Sequence, residues 1–409
     1  MRESSVAPTA RISRQFSLRA VMETIVHDGP ISRASIAKQT GLSKQTISEI
    51  VRQLEEEGWV RETGRTQGHV GRSAVTYELV PTAAYIVAVD LGGTKVRVAV
   101  CDLTCQIIAQ DVAPTDPRGG HFVVEQIAAL SRKVAATRDV PFERVQVAVI
   151  GAPGVPERGT GRVLLAPNIR DFDSIDVAAA LSSALGAEVM LENDVNLAVL
   201  GENWLGGGQG IENLAYVALG TGVGGGLILG GQLIRGAGNA AGELGFLPFG
   251  ADPFDTESLR AGAYERVVAS VGIMRRYREL AQAEASVPEI FELANAGDAS
   301  ALTVLNDTAN YLAFGIGAIC AMANPEKVIL GGSIGGRPEL IERVKTFLPL
   351  CFPSPVQVEA SQLGTHATLI GAAAIGLSHL HNTLFGADAP NGKISLPPAN
   401  AVSISGVLQ

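Results

Sequence analysis

Cysteine is scarce in this chain: four in 409 residues, Cys101, Cys105, Cys320 and Cys351, with no CxxC or CxC pair among them. So few thiols cannot staple a chain of this length, so a disulfide framework is excluded and a reducing, cytoplasmic setting is expected. Long apolar runs are missing too. The longest, around "YLAFGIGAICAMA", is too short to span a bilayer, and the polar start "MRESSVAPTARISRQ" has no signal-peptide core, so no membrane partner is expected. Charged residues make up only 18%, yet 46% apolar residues and the absence of a low-complexity tract argue against disorder. Positive charge is in deficit, 32 basic against 41 acidic side chains. The deficit is uneven: residues 1–80 hold 11 basic and 9 acidic groups (+2), leaving 21 and 32 (−11) for the rest. A polyanion partner is therefore excluded for the body and left open for the head.

What is present points to several cores. The length exceeds one ordinary core, and 47 glycines, scattered through apolar runs, suggest turns and loops where backbones approach closely. In the head, "GPISRASIAKQTGLSKQTISEIVRQLEEEGWV" carries two helix starts, Ser32 leading to about Thr40 and Ser43 leading to about Glu57. Ile47, Ile50, Val51 and Leu54 repeat at i, i+3, i+4, i+7, so one stripe turns inward. Ser43, Lys44, Gln45, Thr46, Ser48 and Arg52 are left as candidate base and phosphate contacts in a major groove. A helix over about Arg14–His27 completes the three-helix core. Two strand-like segments, "WVRETGR" and "SAVTYELV", flank "TQGHVG" as a wing whose Arg65 and Arg72 could reach phosphate or the minor groove.

Beyond Pro81, "YIVAVDLGGTKVRVAVCDLTCQIIAQ" reads as a strand, a glycine turn and two more strands. Asp90, Gly92, Gly93, Thr94 and Lys95 are the candidate phosphate and cation groups. The pattern returns in "YVALGTGVGGGLILGGQLIRG", with Gly220, Thr221 and Gly222 at its turn, and this internal repeat implies two similar lobes facing each other. Between the copies, "AEVMLENDVNLAVLGENWLGG" runs from strand to helix with Asn193 and Asp194 at the corner. A carboxylate there is placed to accept a proton from a hydroxyl, and either residue equally suits a helix cap. "GAPGVPERGTGRVLLAPN" ends on Asn168, which could point into a cleft, and "NPEKVILGGSIG" places Gly331 and Gly332 after a buried strand, where they could lie against a base or ribose. In "GELGFLPFGADPFDTESL", Glu243 and Glu257 bracket a stretch without cysteine or histidine.

Together, "DLGGTK", "ENDVNLAVLGENWLG", "LGTGVGGGLILGGQLIRGAGNAAGELG" and "VILGGSIGG" resemble, in order, the signatures of the ROK family of repressors, open reading frames and sugar kinases, over roughly residues 83–385. The head resembles the winged helix-turn-helix of that family's repressor branch. The resemblance implies an α/β fold: a winged helix-turn-helix (1–80), then a two-lobed actin-like ATPase body (81–195 and 196–385, the last helix returning to the first lobe), then a loose tail (386–409). It implies Asp194 at a catalytic-base position, Asn193 on sugar hydroxyls, Glu243 as the "GE" carboxylate and Glu257 as the acid ending the family's zinc loop, both glutamates facing one sugar. The family's histidine is Phe246 here, and "FGADPFDTES" stands in place of its cysteine run, so no structural zinc is expected and Asp252 and Asp255 read as solvated loop residues. The ring at Phe246 alters which sugar fits or offers a stacking face.

The expected function is a sugar-responsive DNA-binding regulator, a repressor of carbohydrate genes. Its partners are a double-stranded operator, a sugar or sugar-phosphate effector, and a second copy in a homodimer or homotetramer. No cofactor is required for that role. The alternative is an ATP- and magnesium-dependent sugar kinase, whose site residues the chain retains.

Overall fold

In a computed structural model, residues 8–66, 74–157, 159–166 and 168–385 are described. The head opens with α1 (Pro8–Asp28), whose first residue is a proline, the type suited to a helix start because its missing N–H would be unsatisfied there anyway. The helix thus begins earlier than the expected Arg14. β1 (Ile31–Ser32) leads to α2 (Arg33–Thr40), capped by Ser32 and ended by Gly41 at φ 72°, and then to α3 (Lys44–Glu56), capped by Ser43. Ile47, Ile50, Val51 and Leu54 are all buried, as their spacing predicts. β2 (Val60–Thr66) and β3 (Ala74–Leu79) pair antiparallel as the wing, and β1 adds to β3. The wing tip, Arg72 and the C-terminal tail lie outside the described residues, as does the Arg65 side chain.

The body is built twice on one plan. In the first sheet, β4 (Tyr85–Leu91), β5 (Lys95–Asp102) and β6 (Ile107–Pro114) form an antiparallel meander. After α4 (Gly120–Ala136), β7 (Val145–Ala152) lies parallel to β4. A small hairpin, β8 (Val155–Pro156) and β9 (Val163–Leu164), precedes α5 (Val177–Leu185) and β10 (Glu188–Asn193), which lies parallel to β7. Then comes α6 (Asp194–Leu205). The second sheet repeats the order: β11 (Leu214–Leu219), β12 (Val223–Leu229) and β13 (Gln232–Leu233) make the meander. Helices α7 (Thr256–Ala261), α8 (Glu265–Val268), α9 (Ser270–Ala281), α10 (Val287–Asn295) and α11 (Ala299–Ala323) follow. β14 (Lys327–Gly331) lies parallel to β11, followed by α12 (Gly332–Gly335) and α13 (Pro338–Cys351), and β15 (Gln357–Ala360) lies parallel to β14. The internal repeat read in the sequence is therefore a repeat of sheet topology.

The last helix, α14 (Ala367–Phe385), packs along α6 and over β4 and β7. Small residues let the two helices meet: a Cβ at Gly371 would run into the carbonyl of Leu197, and one at Gly201 into the carbonyl of Ala367. The far end of α14 meets α1, and Val21, Met22 and Ile25 of the head share one buried cluster with Leu377 and Leu380. The connection at Val80–Ala84 is a short 3-10 turn tied to both sides, Val80 N–H donating to the Trp59 carbonyl and Leu103 N–H to that of Pro81. Among the described residues no helix is long and apolar enough to cross a membrane.

Candidate functional site

The ends of the parallel strands converge. Asp90, next to the last residue of β4, pairs in register with Gly151 of β7, and Ala152 with Asn193 of β10, so Asp90, Asn193 and Asp194 emerge at one edge, where open α/β sheets bind ligands. Asn193 is largely committed to structure. Its Oδ1 accepts the Val195 and Asn196 N–H groups at 3.0 and 3.1 Å, capping α6, and its Nδ2 donates to the Gly154 carbonyl at 2.9 Å. The expected sugar contact from Asn193 thus reduces to one remaining amide hydrogen.

Asp194 is different. It is half-buried, and the loss of water, together with the nearby charges of Asp90 and Glu243, pushes its carboxyl up to about 7. Asp90 is also raised by burial, against the opposing pull of Arg97, whose Nη1 donates to Asp90 Oδ2 at 3.1 Å from the facing strand.

The second lobe brings up the other wall. Glu243 follows Gly242, a position that only glycine can fill: φ is +94°, and a Cβ would overlap the Gly225 carbonyl. Gly225 N–H in turn donates to the Gly242 carbonyl at 2.8 Å, so two backbones in contact set where Glu243 lies. Glu243 is raised by burial and by Glu265, and Glu265 by burial, while Glu265 Oε2 accepts the Val223 N–H at 3.0 Å beside Gly222.

The carboxylate whose charge bears on Glu243 is therefore Glu265, a neighbour that the sequence reading did not name. Glu257 is exposed, in the first turn of α7, 3.5 Å from Arg260. The sequence held a sign of this: Asp255 precedes it as an N-cap, and an acid just inside a helix start serves the helix dipole. Glu265 carried no comparable signal. Phe246 stays exposed at 43%, in the 3-10 turn that begins after Glu243.

The glycine turns lie where the repeat places them. Gly93 packs against Asn168, which is exposed; Thr94 and Lys95 are exposed, and Thr115 Oγ1 donates to the Gly92 carbonyl at 2.7 Å. On the other lobe, Gly220 abuts Ser333 of α12, Thr221 is exposed, Gly331 packs on the Tyr216 ring and Gly332 on the Leu219 backbone. The lobes are pinned together by Arg235, whose Nε lies 2.6 Å from Glu192 Oε2, and by Asn239, which donates to the Pro156 carbonyl at 2.8 Å. Sequence reading missed both links, since neither partner is near the other in the chain.

On α3, Lys44, Gln45, Ser48 and Arg52 are exposed on one polar side, Gln45 donating to Glu49 and Arg52 standing 3.8 Å from Glu56. Ser43 and Thr46 spend their side chains on the cap, Ser43 Oγ accepting the Thr46 N–H at 3.1 Å and lying 2.8 Å from Thr46 Oγ1.

Comparison with known proteins decides the lineage: the ROK family profile matches residues 86–378, and a winged helix-turn-helix DNA-binding profile matches 17–61. The chain belongs to the ROK family. Among its ROK relatives, the xylose repressor of Bacillus subtilis is 25% identical over 90% of this chain and 96% of its own length. A glucokinase of Halalkalibacterium halodurans is 32% identical over 61% of this chain and 80% of its own. In structure, a ROK family transcriptional regulator, a homologue of the E. coli MLC protein, superposes with a TM-score of 0.75 at 23% identity, covering 91% of this chain and 98% of that one, a likeness of fold.

The ROK zinc pattern does not fit the residues present. Phe246 offers a ring, and Asp255 is held by Arg266 at 2.7 Å while it caps α7. Asp255 is thus more than the solvated loop residue expected from sequence. Asp252 is a local turn former, accepting the Phe254 N–H at 2.9 Å. Among the described residues no group of three or more His, Cys, Asp or Glu side chains is arranged to hold a metal ion.

Proposed function

We propose that this chain is a sugar-responsive DNA-binding repressor, in which a sugar in the cleft between the lobes changes how the head engages its operator. The observation that carries the reading is physical continuity. One helix, α14, touches the Asp194 corner at one end, where Thr368 Oγ1 donates to the Asp194 carbonyl at 3.3 Å, and the head helix α1 at the other. Asp194, Glu243 and Glu265 form an acceptor-rich wall suited to the vicinal hydroxyls of a sugar, with Asp90, Asn168 and Phe246 around it. The exposed side of α3, with Lys44, Gln45, Ser48 and Arg52, is the proposed major-groove reader. Two half-sites need two heads, so a homodimer or homotetramer working in the cytoplasm completes the reading. A ligand can act only through different affinities for DNA-competent and incompetent arrangements.

A second reading, sugar kinase, is favoured by one observation: a carboxyl at the start of α6, raised to about 7, is matched to accept the proton of an attacking hydroxyl. Asp90 and the glycine turns of both lobes are the residues that would hold a magnesium nucleotide, which would supply the phosphoryl group.

The test is fluorescence anisotropy on the chain's own upstream DNA, with D-xylose and D-glucose as probes, beside calorimetry. Expected are a DNA affinity falling steeply with salt and a shift of about tenfold or more on sugar addition. Sugar affinity is lost or weakened in Asp194→Asn and Glu265→Gln and kept in Glu257→Gln. DNA affinity indifferent to both sugars, with sugar-dependent ADP release abolished in Asp194→Asn, would replace the repressor reading by the kinase one.

A further inference from the structure

Between Gly245 and Glu265 the chain leaves the cleft wall, runs over the surface and returns. Its two ends are locked: Tyr264 N–H donates to the Gly245 carbonyl at 3.0 Å, and Gly262, at φ +83°, leaves no room for a Cβ against that same carbonyl. Tyr264 itself is fully buried, its hydroxyl donating to the Tyr311 carbonyl at 3.0 Å. The excursion between them has little apolar anchorage. From Gly250 to Ala261 the only buried residue is Ser258, 2% exposed, while Phe254 is 87% and Leu259 68% exposed. Something other than a core must hold it.

We propose that Arg266 is the clamp of this segment and, from its place next to Glu265 on α8, the positioning residue for that wall of the site. Its Nη1 donates to Asp255 Oδ2 at 2.7 Å and to Ser258 Oγ at 2.6 Å, joining the α7 cap and the segment's one buried side chain to α8. Its carbonyl accepts from Arg275 Nη2 at 3.1 Å, which ties the same residue to α9. An exposed ion pair alone contributes little. Here the guanidinium is mostly buried, its side chain 22% exposed, and it satisfies a hydroxyl that would otherwise be buried without this partner. The hydrogen bond from Arg266, with help from the Glu257 N–H, also holds the Asp255 carboxyl below its usual range, which keeps the pair ionised into mild acid.

The clamp itself rests on these contacts; only its effect on affinity rests on the sugar reading above. The experiment is chymotryptic cleavage after Phe254 in the full chain, for wild type, Arg266→Ala, Asp255→Asn and the double variant, with melting temperatures and calorimetric titration of D-xylose and D-glucose. Either single change is expected to speed cleavage about tenfold or more, the worth of one charged hydrogen bond, and the double to add little to Arg266→Ala, because both cut the Arg266–Asp255 pair. EDTA is expected to leave wild-type cleavage unchanged. Affinity for whichever sugar binds is expected to fall several-fold in Arg266→Ala, with Arg266→Lys restoring much of it. Unchanged cleavage, independent additive effects, or faster wild-type cleavage in EDTA overturns the clamp. If Arg266→Ala fails to fold, Asp255→Asn alone decides by the same cleavage rate. If neither sugar binds the wild type, the effector reading fails and the cleavage rates still judge the clamp.

Discussion

At the scale of single residues, the molecule concentrates acceptors and withholds cations. Asp90, Asp194, Glu243 and Glu265 are all raised by burial, and only Asp90 has a guanidinium on it in the described contacts. Such a cluster titrates as a unit, with Asp194 the member moved up to about 7. The sign follows from linkage. An unfolded Asp ionises near 3.8, so what Asp194 contributes to stability is full below that value and is lost as pH rises toward 7. Sugar binding runs the other way, because a hydroxyl donates to the ionised form. Sugar affinity is therefore expected to rise by up to about tenfold per pH unit between 5.5 and 7 and to flatten above, a slope that titration calorimetry across pH checks and that Asp194→Asn removes. The influence of Glu265 on Glu243 belongs to this scale as well. Glycine contacts between β12 and the Gly242 turn set where Glu243 lies, and no periodicity encodes that.

At the scale of elements, capping and stripes were legible and crossings were not. Ser32 and Ser43 cap the helices they were expected to cap, and the apolar stripe of α3 is wholly buried. By contrast, the α6–α14 crossing depends on two glycines meeting the partner backbone. Gly371→Val is expected to cost about 3 kcal/mol, since the obstacle is the Leu197 carbonyl and not a side chain that can swing away. Gly317→Ala in α11 meets nothing nearer than 3.8 Å and is expected to be neutral or to stabilise by a few tenths of a kcal/mol through the lower entropy of its unfolded chain. Thermal melts of the two variants test the contrast, and equal melting temperatures would refute it.

At the scale of the whole molecule, head and body are continuous. The turn at Val80–Ala84 is bonded to both, and α1 closes on α14. His381 of α14 sits at that junction: burial first, then the Arg19 charge, lower its pKa to about 4, with Glu23 opposing. A depressed histidine contributes stability above its unfolded value near 6.5, and that contribution is lost as pH falls through 4. The head is therefore expected to loosen from the body between pH 6 and 4, seen as falling amide protection factors, corrected for intrinsic exchange, in α1 and the end of α14. His381→Gln is expected to flatten that dependence; protection in α1 that ignores pH in the wild type would refute it.

The sequence alone determined the order of parts: a capped three-helix head with a wing, a strand–glycine–hairpin plan used twice, and Asp90, Asp194 and Glu243 at strand or turn ends, because caps, stripes and glycine turns are local signals. Tertiary structure decided which distant groups meet. Glu265 bears on Glu243, Arg266 holds Asp255, Arg235 holds Glu192, and α14 returns to touch both the Asp194 corner and the head. The physical reason is that burial and Coulomb forces act through space, and only the closed backbone sets those distances.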